Sequence, residues 1–422
     1  MLSLINSGGK IIINSSQIMN IIQVNSHYEY SSIGRTTMEM HEYMISKGFG
    51  SFVFCINKDD PQNNIYKVVN HLEYRLNGIH SRISGLEAYG SHFPTWRMLR
   101  KWDTIKPNVV ILRNIHSDYV NLPMILKYCA KNNIATVLVH HDFWFFTGHC
   151  TYYTKIKCQK WLTQCESCPG LKEGNPTWFL DTSKKVFNDR MRMFKEIDNL
   201  AVVGVSDWTT NEAKRSPMYT NAKVIKRIYN WINLDIFYPR DTFSIRQSLG
   251  IKDEPVILGI SQSWIPAKGL YIFIDIAKHF PNCRIVMVGK VKEEDRKMMP
   301  DNILTPGVLK DVTLLANYYS LADVFVNPSL QETFGKVTAE ALACGTPVVV
   351  NDATATPEIA GDCGIVVHNN NMDEYYSSIE KVLALGKSYY TSKCVERANT
   401  LFNKNKNLEE YVELFRTLTE PK

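Results

Sequence analysis

The chain has 422 residues, of which 45% are hydrophobic and 21% are charged, and its formal net charge at pH 7 is +6. This composition is that of an ordinary folded protein and excludes intrinsically disordered and fibrous classes. The mild positive excess gives no nucleic-acid-binding footprint. No apolar run approaches the roughly 20 residues that a membrane-spanning helix requires. Because single hydrophobic cores stop growing at about 250 to 300 residues, the length predicts two domains.

The N-terminal segment and the cysteine count bear on localisation. Asn, Ser and Gly interrupt the apolar stretches near the N-terminus, so this segment lacks the continuous apolar core of a secretory signal. We expect residues 1–18 to be a non-native leader, an upstream start or a disordered extension, and these options stay open. Ten cysteines are too few for a disulfide scaffold in a chain of this length, which favours a reducing cytoplasm.

Short β-branched runs alternate with longer segments of helical period, which predicts parallel sheets covered by helices. The predicted strands form two series: residues 21–24, 51–56, 109–112, 136–140 and 201–205, then 256–260, 284–288, 324–327, 348–351 and 365–367. The two series predict an α/β fold built from two similar halves.

Domain boundaries follow from the loss of periodicity around residues 233–244, a stretch that also contains a proline. We therefore predict an N-terminal domain over residues 19–238 and a C-terminal domain over residues 239–400. Residues 401–422 are predicted to form a C-terminal helix, and its return to the N-terminal domain is one option.

The most informative motif lies within residues 327–350. Glu332 follows a predicted strand, and Glu340 lies eight residues later, inside a helix predicted to begin near Phe334. Eight helical residues span about 12 Å, so the two carboxylates cannot share one reacting atom but can face one extended ligand. The amides of Thr333, Phe334 and Gly335 lie at the helix start, where a phosphate is favoured. A capping role for Glu332 and a surface position for Glu340 are the alternative.

The segment ETFGKVTAE, followed by ALACGTPVV, resembles the E-x7-E signature of retaining glycosyltransferase family 4, whose members have the GT-B fold of two facing Rossmann-like domains. Further landmarks occur in family order: HDFWFFTGHC, VSDWTT, NWINLDIFYP, SWIPAKGL, MVGK and TPEIAGDCG. The chain is most similar to the bacterial enzymes of capsule, exopolysaccharide and lipopolysaccharide synthesis. The resemblance implies an N-terminal acceptor domain, a C-terminal nucleotide-sugar donor domain and a hexosyltransferase activity.

Several roles follow from this resemblance. Glu340 would hold the ribose hydroxyls of the donor, and Glu332 would contact hydroxyls of the donor sugar. Thr333, Phe334 and Gly335 would lie beside the sugar and the diphosphate. These roles agree with the chemistry of ionised carboxylates, which accept strong hydrogen bonds from vicinal hydroxyls.

Lys268 lies in SWIPAKGL, between a predicted strand and a predicted helix. A solvated lysine at a helix start is the plain alternative. The resemblance instead implies that Lys268 neutralises the leaving diphosphate. The arginine that the family often carries five residues earlier is Ser263 here, and Arg284, Lys290 and Lys310 are candidates to compensate. The sequence contains no D-x-D motif, which agrees with catalysis that requires no metal cofactor.

Candidates in the N-terminal half follow three predicted strands. The resemblance places Gly34 in the loop beneath the donor, although a plain strand-to-helix turn is the alternative. His116 follows a strand end, where ligands bind in open α/β sheets. The resemblance implies a catalytic contact between a histidine here and the donor sugar. Arg113 is the alternative position, and a buried histidine with a structural hydrogen bond is the competing account. His141 follows the next strand and could reach the cleft.

Four cysteines form the spacing C-x7-C-x6-C-x2-C within a predicted Cys-rich insertion over residues 149–170: Cys150, Cys158, Cys165 and Cys168. This closed set predicts a structural zinc site, whereas disulfides or free thiols are the alternative. The intervening segment is basic and aromatic, so contact with an anionic membrane or a lipid-linked acceptor is expected.

We therefore predict a retaining, metal-independent glycosyltransferase of surface polysaccharide synthesis. Its donor would be a UDP-, GDP-, ADP- or dTDP-linked sugar, and its acceptor a glycan or a lipid-linked molecule. It would be cytoplasmic, with peripheral contact at the inner membrane face, and would not bind nucleic acid. Two alternatives stay open: a GT-B epimerase or phosphorylase, and a non-catalytic sugar-nucleotide-binding or zinc-dependent interaction module.

Overall fold

The computed structural model describes residues 18–420. Residues 1–17 of the predicted leader lie outside this range. In the described part, the first half of the chain contributes a parallel sheet in the spatial order β3-β2-β1-β4-β5-β6-β7. Its strands are β1 (Asn20–Val24), β2 (Gly50–Cys55), β3 (Ile65–Lys67), β4 (Val109–Leu112), β5 (Ala135–His140), β6 (Leu200–Gly204) and β7 (Val224–Arg227).

The second half contributes another parallel sheet, in the order β10-β9-β8-β11-β12-β13. Its strands are β8 (Val256–Ser263), β9 (Arg284–Lys290), β10 (Ile303–Gly307), β11 (Val324–Asn327), β12 (Val348–Asn351) and β13 (Gly364–Val367). The strand order reverses between β1 and β4 and again between β8 and β11. In open α/β sheets such reversals create the crevice in which ligands bind.

Helices connect the strands of both sheets. The first half has α1 (Ser31–Ser46), α2 (His71–Ser84), α3 (His92–Ile105), α4 (Leu122–Lys131), α5 (Ser183–Lys195) and α6 (Asp207–Arg215). The second half has α7 (Phe243–Ser248), α8 (Leu270–His279), α9 (Glu293–Arg296), α10 (Val312–Leu321), α11 (Lys336–Ala343), α12 (Thr356–Ala360), α13 (Met372–Leu385) and α14 (Lys387–Leu401). No helix within residues 18–420 is long and apolar enough to cross a membrane.

The predicted α/β fold is confirmed, and each of the predicted strands overlaps an observed one. Three strands were not predicted: β3, β7 and β10. All three lie at sheet edges, and β7 and β10 are only half buried along their length. Edge strands face solvent on more sides than central ones, so they lack the continuous apolar runs that mark a central parallel strand.

The last helix, α15 (Lys404–Thr419), packs against the first half of the chain. Its Asn407 donates a hydrogen bond from Nδ2 to the carbonyl oxygen of Tyr229, at 3.1 Å. Tyr43 of α1 donates a hydrogen bond to Glu409 Oε2, at 2.7 Å. The C-terminal segment thereby ties the second half of the chain to the first sheet.

Candidate active site

A cavity of about 450 Å³ lies where the carboxyl ends of the two sheets face each other. Ser32 and Ile33 of α1, together with His141 after β5, contribute the wall from the first half. The opposite wall consists of the end of β8 with the loop that follows it, and of residues 332–337. This is the location that the strand-order reversals favour for a ligand.

Lys268 and Glu332 are brought together in this cavity. Lys268 Nζ lies 2.9 Å from Glu332 Oε1 and 3.0 Å from Ser329 Oγ. The loops that carry them are in close contact at Gly269, which has a φ of +82° and leaves no room for a Cβ beside Pro328. Lys268 is 39% exposed and Glu332 is 21% exposed, so both can reach a ligand in the cavity.

The segment from Glu332 to Gly335 forms the entry to α11. The helix begins at Lys336, two residues later than predicted, because Gly335 takes a left-handed conformation with a φ of +83°. The amide of Glu332 donates a hydrogen bond to Thr354 Oγ1, at 2.8 Å. Thr333 Oγ1 donates to the carbonyl oxygen of His141, at 2.9 Å, and so links the two walls. The segment is thus held in place from both sides of the cavity.

Phe334 and Glu340 differ in their relation to this cavity. Phe334 lines it, whereas Glu340 does not. The ring of Phe334 is buried and packs edge-on against Phe402, with ring centroids 5.3 Å apart. Glu340 is buried within α11 and accepts a hydrogen bond from the Tyr319 hydroxyl, at 2.9 Å. It does not line the cavity, although Lys336, one turn earlier, does. Burial raises the pKa of Glu340, and the nearby charges of Lys336 and Arg35 oppose this shift.

His116 forms a partly buried pair with Asp142 beside the cavity. His116 Nε2 donates to Asp142 Oδ2, at 2.7 Å, and the Trp144 amide donates to Asp142 Oδ1, at 2.9 Å. Although burial disfavours the imidazolium, the attraction of Asp142 raises the pKa of His116 to about 9. The same interaction lowers the pKa of Asp142 against the effect of burial. His116 is not among the residues that line the cavity.

Arg113 and His141 form a second buried group. Arg113 Nη1 donates to Thr36 Oγ1 of α1, at 3.1 Å, and lies 3.4 Å from His141 Nε2. Burial lowers the pKa of His141 well below its usual value, and the positive charge of Arg113 lowers it further. Of the histidine candidates, the structure therefore brings His141 to the cavity wall as a neutral ring.

Gly34 lies inside the first turns of α1, because this helix begins at Ser31. The strand-to-helix loop predicted here is accordingly shorter, and Ser32 and Ile33 reach the cavity instead. A Cβ at Gly34 would meet the amide of Glu29 and the carbonyl oxygen of His27 at 3.3 Å. Gly34 thus allows the preceding turn to pack closely on α1.

The four cysteines lie in the long connection between β5 and α5, and all of them line one small cavity. Each is a free thiol. Burial raises the pKa of Cys150 and of Cys165 to about 12. Among residues 18–420, no group of three or more Cys, His, Asp or Glu side chains is arranged to hold a metal ion. The thiol chemistry suits zinc, but the arrangement does not form a coordination shell, and the zinc site stays a prediction.

Two residues were not predicted from the sequence: one lines the cavity, and the other joins the two halves of the chain. Lys336 adds a positive charge to the cavity wall directly after Gly335, and its place beside the helix start was the available signal.

Glu358 of α12 accepts hydrogen bonds from the amides of Asp207 and Trp208, at 2.6 and 3.0 Å. These amides begin α6, so the carboxylate joins the two halves and satisfies helix-terminal donors. Its distance in sequence from α6 left no local signal for this contact.

Comparison with known proteins agrees with this architecture. Residues 254–384 match the family model described as glycosyl transferases group 1. The chain is 20% identical over 416 residues to the putative colanic acid biosynthesis glycosyl transferase WcaC of Escherichia coli (strain K12), covering 95% of this chain and 100% of that protein.

Two solved structures share the fold. The glycosyltransferase from Rickettsia africae ESF-5 superposes with a TM-score of 0.69 at 13% identity, over 96% of this chain and 100% of that one. Anabaena Alr3699/HepE in complex with UDP-glucose superposes with a TM-score of 0.63 at 14% identity, over 94% of this chain and 100% of that one.

The two facing α/β units and the cavity between them have the architecture of the GT-B fold. Residues 254–384 are similar to the group 1 glycosyltransferases, and the chain is similar along its length to a glycosyl transferase. The predicted family resemblance, fold and enzyme class are thereby confirmed.

Proposed function

We propose that this chain transfers a sugar from a nucleotide-diphosphate donor to a glycan or lipid-linked acceptor in surface polysaccharide synthesis. The transfer proceeds with retention at the anomeric carbon and without a metal ion. The observation that carries this proposal is the convergence of Lys268, Glu332 and the start of α11 on one cavity, opposite His141. A cation, a carboxylate and free helix amides are the groups that a sugar diphosphate requires.

Diphosphate binding falls to Lys268 and to the amides that begin α11. The first amides of a helix lack intrahelical partners and attract an anion. Lys268 already has a carboxylate partner in Glu332, so donor binding requires that this ion pair opens or is shared. On release from Lys268, Glu332 becomes free to accept hydrogen bonds from hydroxyls of the donor sugar. Glu340 lies one helical turn beyond Lys336 and outside the cavity wall, so we propose that it holds the ribose hydroxyls after the donor displaces its hydrogen bond from Tyr319.

The carboxylate content of the cavity bears on the route by which retention would be achieved. Within the described part of the chain, Glu332 is the one carboxylate that lines it. A double displacement would need a carboxylate nucleophile, but Glu332, once released from Lys268, is proposed to hold hydroxyls of the donor sugar. We therefore favour attack on the face that the diphosphate leaves. The bond from the anomeric carbon to the phosphate oxygen breaks with its electron pair on that oxygen, which then takes the proton of the attacking acceptor hydroxyl.

Metal independence is supported by the positive charges of the cavity. Lys268 and Lys336 both line the cavity, and the N-terminal end of α11 adds the positive pole of its helix dipole. These groups supply the electrostatic stabilisation of a leaving anion that a divalent cation would otherwise give. A chelator is therefore expected to leave transfer intact.

The acceptor class rests on the relatives. WcaC, which this chain matches along its length, is named for colanic acid biosynthesis. A polysaccharide acceptor assembled at the inner face of the cytoplasmic membrane fits that likeness. UDP-glucose, the ligand bound to Anabaena HepE, is the first donor to test.

The proposal is tested by thermal-shift measurements with UDP-, GDP-, ADP- and dTDP-sugars in the presence of a chelator. A ligand that binds only the native state raises the melting temperature by mass action. We expect one nucleotide class to do so, and Glu340→Ala to lose most of the shift. Glu380→Ala, at an exposed position of α13, is the matched control and should keep the shift. No shift with any donor would contradict the proposal.

We further propose that Cys150, Cys158, Cys165 and Cys168 hold a structural zinc ion. All four line one small cavity and thiolates are preferred zinc ligands, so zinc binding would draw the four sulfurs from their present arrangement into a coordination shell. The ion would stabilise the connection between β5 and α5 and take no part in transfer. Elemental analysis of purified protein should give about one zinc per chain. A zinc content near zero, with all four thiols freely titrated in the folded protein, would refute the assignment.

A further inference from the structure

The helix α2 carries an apolar stripe that faces solvent. Leu72, Leu76, Ile79 and Ile83 are between 45% and 66% exposed. Their spacing of three and four residues places them on one face of the helix. Single exposed apolar side chains are ordinary, but a stripe along a whole helix is the signature of a surface that meets another apolar phase.

Two neighbouring segments extend this stripe. Phe93 and Trp96 of α3 are more than half exposed and stack on each other, with ring centroids 5.8 Å apart. The start of α3 is tied to α2, since the Ser91 amide donates to Asn77 Oδ1 at 3.0 Å. Exposed aromatic rings beside an exposed aliphatic stripe are typical of membrane-interface surfaces.

The third segment belongs to the long connection between β5 and α5. Trp178, Phe179 and Leu180 are between 48% and 74% exposed. The Trp178 amide donates to the carbonyl oxygen of Arg82, at 2.6 Å, so this segment adjoins the end of α2. We call the α2 stripe, the two α3 rings and these three side chains the apolar ridge.

Helices α2 and α3, which carry most of the apolar ridge, have a positive net charge. Helices α2 and α3 together carry five Lys or Arg side chains and two Asp or Glu side chains. Both acidic side chains are already paired, Glu73 with Arg97 at 3.1 Å and Asp103 with Arg100 at 3.8 Å. Arg75, which is exposed on α2 itself, is therefore available to an external anion.

The apolar ridge lies on the side of the first sheet that holds the cavity. Gly78 of α2 packs near Asp118 Oδ2, where an added Cβ would lie 3.7 Å away. Asp118 belongs to the loop that follows β4, two residues after His116. A phase that contacts the ridge would therefore lie near the edge of the first sheet that faces the cavity.

We propose that the apolar ridge docks this enzyme on an anionic phospholipid bilayer, with α2 lying in the interface. This inference rests on the proposed function, because it supplies the route by which a lipid-linked acceptor reaches the cavity. Apolar and aromatic side chains enter the headgroup region, and the surrounding Arg and Lys side chains pair with lipid phosphates. A second copy of the chain would bring two basic surfaces together, so charge complementarity favours the anionic bilayer.

The test is vesicle co-sedimentation of the full chain with phosphatidylcholine vesicles and with mixed phosphatidylcholine–phosphatidylglycerol vesicles. We expect binding to the anionic vesicles that falls as salt rises, since screening weakens contacts with lipid phosphates. Leu76→Glu and Phe179→Glu should each weaken that binding by about 10-fold or more. Phe243→Glu is the matched control, because Phe243 is 72% exposed against 74% for Phe179 but lies in the second half of the chain.

Donor-induced thermal shifts of the same variants separate this inference from the proposed function. A donor-induced thermal shift that is unchanged in a variant shows that its donor site is intact, independently of the vesicle-binding result. Equal vesicle binding by all variants would overturn the assignment of the ridge, and so would no binding to either vesicle. A concentration-dependent dimer that Leu76→Glu and Phe179→Glu abolish would show that a second copy occupies the ridge, and would overturn it as well.

Discussion

The guanidinium of Arg113 and the imidazole of His141 lie within hydrogen-bonding distance, with Nη1 of the first 3.4 Å from Nε2 of the second. A guanidinium has donors and no acceptor, so His141 Nε2 must accept. The proton of the neutral ring is therefore on Nδ1. Arg113 occupies a position where the family resemblance led us to consider a histidine, and here it orients the histidine of the neighbouring strand.

We expect Arg113→Met to remove the preference of His141 for the tautomer protonated on Nδ1. Without the positive charge the pKa of His141 rises, although burial keeps it below its usual value. Nitrogen NMR of labelled histidine distinguishes the two neutral tautomers and follows the titration. Arg113→Lys keeps the charge and should shift the pKa less, and Arg100→Met on exposed α3 is the control. An unchanged His141 signal in Arg113→Met would refute the positioning role.

The site was predictable only where a local motif marks it. Glu332 and Lys268 were predicted from segments that resemble the family motifs, and the structure places them 2.9 Å apart. The partners of buried candidates were not found, because they are distant in sequence. Tyr319 reaches Glu340 from α10, and Asp142 reaches His116 from the next strand. Hydrogen bonds between strand ends depend on sheet order, which local periodicity does not encode.

The same distinction explains the fold. Central strands such as β5 are fully buried and carry continuous apolar runs, so their periodicity was decisive. The edge strand β10 is half exposed along its length and contains a proline, so it lacked this signal. The later start of α11 depends on the positive φ of Gly335, a backbone choice that the residue permits but does not dictate.

Lys268→Ala is expected to lower the transfer rate by about 100- to 1,000-fold, because a cation that stabilises the leaving diphosphate is lost. Its effect on the free energy of unfolding should stay below about 1 kcal/mol, since Lys268 is 39% exposed in its pair with Glu332. Lys278→Ala removes an exposed pair on α8 and should leave the rate unchanged. Steady-state transfer assays and urea unfolding give both quantities. A near-normal rate in Lys268→Ala would count against its role in leaving-group stabilisation.

Glu340→Gln is expected to separate stability from donor binding. Burial raises the pKa of Glu340 despite the opposing charges of Lys336 and Arg35, so the ionised form costs stability at neutral pH. The cost is relieved as the pH falls through the raised pKa. The glutamine can still accept the hydrogen bond of Tyr319, so the variant should melt at a higher temperature at pH 7. Donor affinity should fall by about 10- to 100-fold, because a carboxylate that accepts ribose hydrogen bonds is lost.

Calorimetry of ligand-free protein and donor titration measure these two effects independently. The expected gain in melting temperature should shrink toward acidic pH, where the wild-type carboxyl becomes protonated. Glu413→Gln, an exposed position of α15, should change neither quantity. Unchanged donor affinity in Glu340→Gln would remove Glu340 from the donor site, whereas a lower melting temperature would show that its charge is stabilised in the fold.

The pair of His116 and Asp142 predicts a loss of stability at alkaline pH. The folded-state pKa of His116, about 9, lies above the pKa of about 6.5 of an unfolded histidine. The pair therefore stabilises the fold fully at pH values below about 6.5, and this stabilisation is lost as the pH rises through about 9. Asp142→Asn should lower the free energy of unfolding at pH 7 by roughly 3 kcal/mol and remove this part of the pH dependence. Urea unfolding between pH 6 and pH 10 measures the difference between the two proteins, and Glu380→Gln, which removes the exposed pair with His279, is the control. A wild-type His116 that titrates near 6.5 by NMR, or parallel stability curves for wild type and Asp142→Asn, would contradict the assignment of an ionised pair.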